Sequence, residues 1–183
     1  MNYNYPHTIS NCIGETIIFH SVEKSDAGDK LMVESFCEPG AGPKFHTHFH
    51  QDECLTVLSG KIGYQVLGEE ANYAGPGETV LFIRGVPHKF WAAGNEKLHC
   101  KGWIAPANSI VFFLSSIFAA QNKSGNENPE VFDGAYLLTR YAKEYEMNEM
   151  PVFVKKVIIP IVYFMGKILG KYKHFTGAPV PLK

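Results

Sequence analysis

The sequence predicts an all-β core followed by C-terminal α-helices, and three observations carry that prediction. From Glu15 to Ala105, short runs of β-branched, aromatic and aliphatic residues alternate with Gly, Pro, Asn and Asp punctuation, the pattern of a sandwich or barrel. Eight such runs can be counted, the strand number of a jelly roll. After Pro106 the apolar spacing changes to a helical one.

In chain order, strands are expected at 16–20, 31–37, 44–48, 54–59, 61–67, 79–83, 88–92 and 98–104. Turns separate them at Ser25-Asp26-Ala27-Gly28-Asp29, Ser59-Gly60, Gly75-Pro76-Gly77 and Ala93-Gly94-Asn95. Ser109 is positioned to cap a helix from Ile110 to about Asn122, closed by Lys123-Ser124-Gly125. Asn128-Pro129 is a good start for a second helix reaching about Met147, and Pro151 for a third. On the third, Lys156, Lys167 and Lys171 fall near one stripe, with Val154, Ile158, Ile161, Met165, Ile168 and Leu169 on the remainder. Such a helix usually packs on its own domain or on a partner subunit, and the same layout also fits contact with a membrane surface over 151–174. The chain thus divides into a barrel over 1–105 and a helical extension over 106–183, packed on the barrel or on a partner.

Composition narrows the function. A chain of 183 residues suits one core, and a net charge of −1 gives no basic field for nucleic acid, for which no motif is present either. The apolar stretch 103–122 is interrupted by Pro106, Asn108, Ser109, Ser115 and Ser116, and the stretch 157–166 is short, so no transmembrane span is expected. Met1-Asn2-Tyr3-Asn4-Tyr5-Pro6 lacks the charged start and apolar run of a secretory signal, so a cytoplasmic location is expected. Cys12, Cys37, Cys54 and Cys100 are widely spaced without a CxxC, which favours four free and mostly buried thiols.

The residues that carry chemistry are His46, His48, Glu53 and His88. A strand rises about 3.4 Å per residue and sends alternate side chains to one face, so His46 and His48 project in parallel, roughly 7 Å apart at their backbones. Glu53 follows a polar turn, Phe49-His50-Gln51-Asp52, and shares a face with Leu55 and Val57 that looks back at the His pair. His88 closes the set after Arg84-Gly85-Val86-Pro87. Imidazole nitrogens plus a carboxylate suit one divalent transition metal, Fe, Mn, Ni, Cu or Zn, rather than the all-oxygen shell of calcium or magnesium. His50 is the rival ligand. Because a ligating histidine must be neutral, metal affinity is expected to weaken below about pH 6.5.

Around these residues the sequence resembles the cupin family. Gly40, His46, His48, Glu53 and Gly60 meet the first family motif, G-x5-H-x-H-x(3,4)-E-x6-G, with the four-residue spacer. Gly77, Gly85 and His88 meet the second, G-x5-P-x-G-x2-H-x3-N, although Ile83 stands where Pro is usual and Ala92 where Asn is usual. The resemblance implies a double-stranded β-helix, or jelly-roll barrel, holding a metal on His46, His48, Glu53 and His88, and a homodimer. Alternation on the His88 strand turns Phe90 into the lumen and Lys89 and Trp91 outward, with Tyr64 and either Phe82 or Trp103 expected nearby; Tyr64, Phe90 and Trp103 are the expected substrate-binding aromatics. Tyr64 reads equally as a plain core residue, and Arg84 is expected outside the barrel.

Three His and one Glu in an apolar pocket resemble the flavonol-dioxygenase type of cupin. The leading expectation is therefore a metal-dependent dioxygenase acting on a small aromatic or enol substrate, with Glu53 the one carboxylate placed for catalysis. The alternatives are a non-enzymatic module that binds a small molecule and a structural barrel whose site is a relic.

Overall fold

The structure, a computed structural model, describes residues 3–24 and 28–182. The expected turn residues Ser25, Asp26 and Ala27 lie outside the described residues. Eleven strands are present among the described residues: β1 (His7–Ser10), β2 (Glu15–Glu23), β3 (Lys30–Cys37), β4 (His46–His48), β5 (Asp52–Ser59), β6 (Ile62–Val66), β7 (Asn72–Ala74), β8 (Thr79–Phe82), β9 (His88–Ala92), β10 (Leu98–Ala105) and β11 (Tyr145–Met147). They form two antiparallel sheets, one ordered β1-β2-β3-β10-β5-β8 and the other β11-β4-β9-β6-β7, in the double-stranded β-helix that the sequence predicts.

The eight expected strands are all present, several with ends shifted by a residue or more. The three others, β1, β7 and β11, are only three or four residues long, and partners elsewhere in the sheets define them more than their own periodicity does. β4 begins at His46 rather than 44, because the Lys44 carbonyl accepts a hydrogen bond from the His46 ring instead of joining a ladder. Burial alternates along the long strands. On β3, Leu31, Val33, Ser35 and Cys37 point inward; on β5, Glu53, Leu55 and Val57; on β9, His88, Phe90 and Ala92. Glu53 and His88 therefore occupy core positions of their strands.

Gly102 lets β10 lie tightly against β5. A Cβ there would overlap the Cys54 carbonyl oxygen, so the Gly102–Leu55 register depends on the missing side chain.

The helical tail departs from the expected layout in two places. α1 (Ile110–Ser124) ends at Gly125 in the left-handed conformation as anticipated, but Ser109 makes no capping bond. Its hydroxyl instead donates to the buried Glu144 carboxylate at 2.6 Å. α2 (Val131–Arg140) is far shorter than a helix running to Met147. Glu130 caps it by accepting from the Phe132 and Asp133 amides, and the chain then turns and extends as β11. Sheet pairing with β4 overrides local helix propensity there. Beyond Pro151, a π-helical stretch (Val154–Ile158) leads into α3 (Ile159–Ile168), with Pro160 in its first turn, where the lack of an amide hydrogen matters least. No helix among the described residues is long and apolar enough to cross a membrane.

Candidate metal centre

Two facing sheets bring the four candidate ligands together. β4 and β9 supply His46, His48 and His88, with His46 and His88 directly paired across the ladder, and β5 supplies Glu53 from the opposite sheet. Two further ties hold the loops in register. The Gly85 amide donates to the His48 carbonyl at 2.7 Å, and the Arg84 guanidinium forks onto Asp52, next to Glu53, at 3.0 and 2.7 Å. Arg84 thus lies outside the barrel, clamping the ligand loops, and its charge holds the Asp52 carboxyl below the usual range.

One donor atom each from His46, His48 and Glu53 lies within 4.8 Å of the others. His88 stands beside them, its Nε2 at 3.7 Å from a Glu53 oxygen and its ring 4.5 Å from that of His46. A gap of 3.7 Å is too long for a hydrogen bond. It matches two donors to one ion, which stand between about 3 Å apart when adjacent and about 4 Å when opposed. His50, on the turn after β4, is not in the group.

Hydrogen bonding fixes which nitrogens look inward. A carbonyl can only accept, so Nδ1–H of His46 donates to Lys44 at 2.8 Å and Nδ1–H of His88 to Val86 at 2.9 Å. In the neutral rings this leaves the Nε2 lone pairs free, the outer-shell arrangement that orients ligating histidines. The buried His88 Nε2 and His48 Nδ1 have no hydrogen-bond partner. The orphaned His88 Nε2 beside the buried Glu53 carboxylate fits a metal ion, since a buried ring nitrogen without a partner is costly. Phe82 stacks on His88 at 4.3 Å, and Tyr145 meets His48 edge-on at 5.6 Å.

The electrostatics suit ligation. Burial, then the neighbouring His48 and His88 rings, push His46 down to about 3; burial and the His88 ring bring His48 to about 4. Burial alone would raise the Glu53 carboxyl, but the adjoining His88, then His48 and His46, outweigh it and hold it below its usual value. Near neutral pH the site therefore presents neutral His46 and His48 rings and an ionised carboxylate, as metal binding requires. Burial thus holds both rings below the 6.5 of an unperturbed imidazole.

His46, His48 and Glu53 open onto a cavity of about 410 Å³ with mainly apolar walls, including Leu55, Phe90, Ile104 and Phe113. Of the aromatics expected around the lumen, Phe90 reaches it and Phe82 stands against His88. Tyr64 packs edge-on to Phe82 in the core, and Trp103 lies on the outer face under the Lys30 ammonium, because strand alternation turns Ile104 inward instead. Cys54 shares that outer side. All four cysteines are free; Cys37 and Cys100 are buried and Cys12 is exposed.

Two contributions escaped the sequence reading. β11 pairs Tyr145 with His48 and Met147 with His46, and both side chains line the cavity, so the C-terminal extension builds one wall of the site. The local signal there, an apolar spacing continuous with α2, pointed to a helix. Glu15, at the head of β2, is a second buried carboxylate on the cavity wall; burial raises its pKa although Asn11 donates to it at 2.7 Å. Its two-residue phase with Ile17 was the available clue.

Comparison with known proteins gives the following. The family model for the cupin domain matches residues 35–104, and no curated protein matches. Solved structures similar to this chain include an uncharacterised conserved protein with a double-stranded β-helix domain from Klebsiella pneumoniae (24% identity, 48% of this chain and 76% of that one, TM-score 0.41). A cupin-like protein from Thermotoga maritima aligns at 23% identity over 55% of this chain and 73% of its own, TM-score 0.43. The Halomonas protein KdgF aligns at 17% identity over 54% and 85%, TM-score 0.43.

Proposed function

From the match of residues 35–104 to the cupin-domain family model we propose that the chain is a metal-dependent dioxygenase, adding both atoms of O₂ to a small aromatic or enol substrate held in the barrel. His46, His48 and Glu53 hold one divalent transition metal, with His88 as the fourth donor. The observation that carries this reading is the orphaned His88 Nε2 beside the buried Glu53 carboxylate, with His46 and His48 grouped around that carboxylate at the edge of an apolar cavity. A redox-active ion held by these residues would supply a Lewis-acid and oxygen-activating centre.

The chain's own residues do the rest. Backbone carbonyls of Lys44 and Val86 hold the His46 and His88 rings in a ligating orientation, and the Phe82 stack fixes the plane of His88. Phe90, Phe113, Tyr145 and Met147 wall the cavity and exclude water around the substrate ring. Glu15 is a second buried carboxylate on that wall, its pKa raised by burial.

The test loads metal-free protein in turn with Fe(II), Mn(II), Ni(II), Cu(II) and Zn(II) and follows oxygen uptake with dihydroxy-aromatic and enol substrates. Turnover with a redox-active metal, lost in His46→Ala, is the expected result. Thermal stabilisation by those compounds with no oxygen uptake under any metal replaces the enzyme with a non-catalytic small-molecule-binding barrel.

A further inference from the structure

The segment after Met150 has a surface that the metal centre does not use. Six of the chain's 17 basic residues and none of its 18 acidic ones lie there. α3 packs its inner side on the rest of the fold: Gly166 sits where a Cβ would overlap the Tyr172 hydroxyl, and Tyr163 stacks on Tyr172 at 5.4 Å. Its outer side carries Ile161, Phe164, Met165 and Ile168, spaced i, i+3, i+4 and i+7, so they form one stripe. A surface helix of this kind normally turns such a stripe to the core. Here it faces outward, with Phe164 at 63% and Ile168 at 70% exposure, and Val152, Phe153 and Leu169 extend the apolar area. Lys167 lies on the flank of the stripe, and Lys156, Lys171 and Lys173 are exposed around it.

We infer that this face docks on an anionic lipid surface, with the α3 stripe in the headgroup–acyl boundary and the lysines on the phosphates. Charge complementarity selects this occupant. Two copies docked through the same stripe would bring their lysine rims together, with no acidic side chain on the segment to offset them. An anionic bilayer offers an apolar layer and opposite charge at once. The helix lies in the plane of the interface, since it is too short to cross.

The experiment is co-sedimentation of the full chain with phosphatidylcholine vesicles, with and without phosphatidylserine. The protein pellets with the anionic vesicles and is released as salt is raised. Lys167→Gln with Lys171→Gln weakens partitioning about five-fold per lysine removed. Phe164→Asp abolishes it while the circular dichroism spectrum is unchanged, since the side chain is exposed. Protein that stays in the supernatant with anionic vesicles, or that pellets equally with neutral ones, overturns the inference. A concentration-dependent dimer in ultracentrifugation that Phe164→Asp disrupts, with no vesicle binding, assigns the face to a second copy and overturns it equally.

Discussion

Tyr145 ties the C-terminal extension to the turn between His48 and Glu53, and removing its hydroxyl tests that tie. Gln51, almost fully buried in the turn between His48 and Glu53, donates through Nε2 to the Tyr145 hydroxyl at 3.0 Å. Ser109 Oγ stands 3.1 Å from the same hydroxyl and gives its own proton to Glu144, so the Tyr145 O–H must donate to Ser109. Glu144 in turn accepts from the Leu182 amide at 3.1 Å. The donors therefore run in one direction, from Gln51 through Tyr145 and Ser109 to Glu144.

Tyr145→Phe keeps the ring, stacked on Phe113 at 4.1 Å, and cuts this chain in the middle. Gln51 Nε2 loses its acceptor while Oε1 already has no partner, leaving a buried amide with no side-chain hydrogen bond. An unsatisfied buried donor costs about 1–3 kcal/mol. At this chain length that corresponds to a fall in Tm of roughly 2–12 °C. Thermal unfolding in chelator measures it. Adding Gln51→Leu to Tyr145→Phe costs less than Gln51→Leu alone, by a coupling of about 0.5–3 kcal/mol, because the second change removes the stranded amide. An unchanged Tm for Tyr145→Phe, or strictly additive single changes, refutes the reasoning.

Two further outcomes follow from the same structure. His46 and His48 are held near 3 and 4 in the fold but take up protons near 6.5 once unfolded, so between those limits the unfolded state binds more protons and stability falls as pH drops. The metal-free protein is expected to lose about 3 kcal/mol between pH 6.5 and 5, read from denaturant midpoints, and a flat profile contradicts buried neutral rings. Gly102→Ala forces a Cβ into the Cys54 carbonyl and is expected to cost about 3 kcal/mol or more in thermal unfolding, whereas a native Tm would contradict the β10–β5 register.

Much of this fold is legible in the sequence because its long strands bury one face. The alternation of Leu31, Val33 and Cys37, or of Leu55 and Val57, marks both the strand and its inner side, and Glu53 and His88 read as inward because they keep phase with those neighbours. What stayed hidden depends on distant partners. β11 is three residues long and exists because β4 offers it an edge, so its own composition continues the α2 pattern and misleads. Ser109 looks like a helix cap until Glu144, 35 positions on, takes its proton. Trp103 has the chemistry of a pocket aromatic, yet it sits one position away from the inward Ile104.

Metal content tests the central claim most directly. Wild-type protein, stripped and reloaded, should take up one equivalent of a divalent transition metal by elemental analysis, while His46→Ala and Glu53→Gln should fold and take up none. Equal uptake by wild type and variants, or no uptake of Fe, Mn, Ni, Cu or Zn by the wild type, contradicts the account.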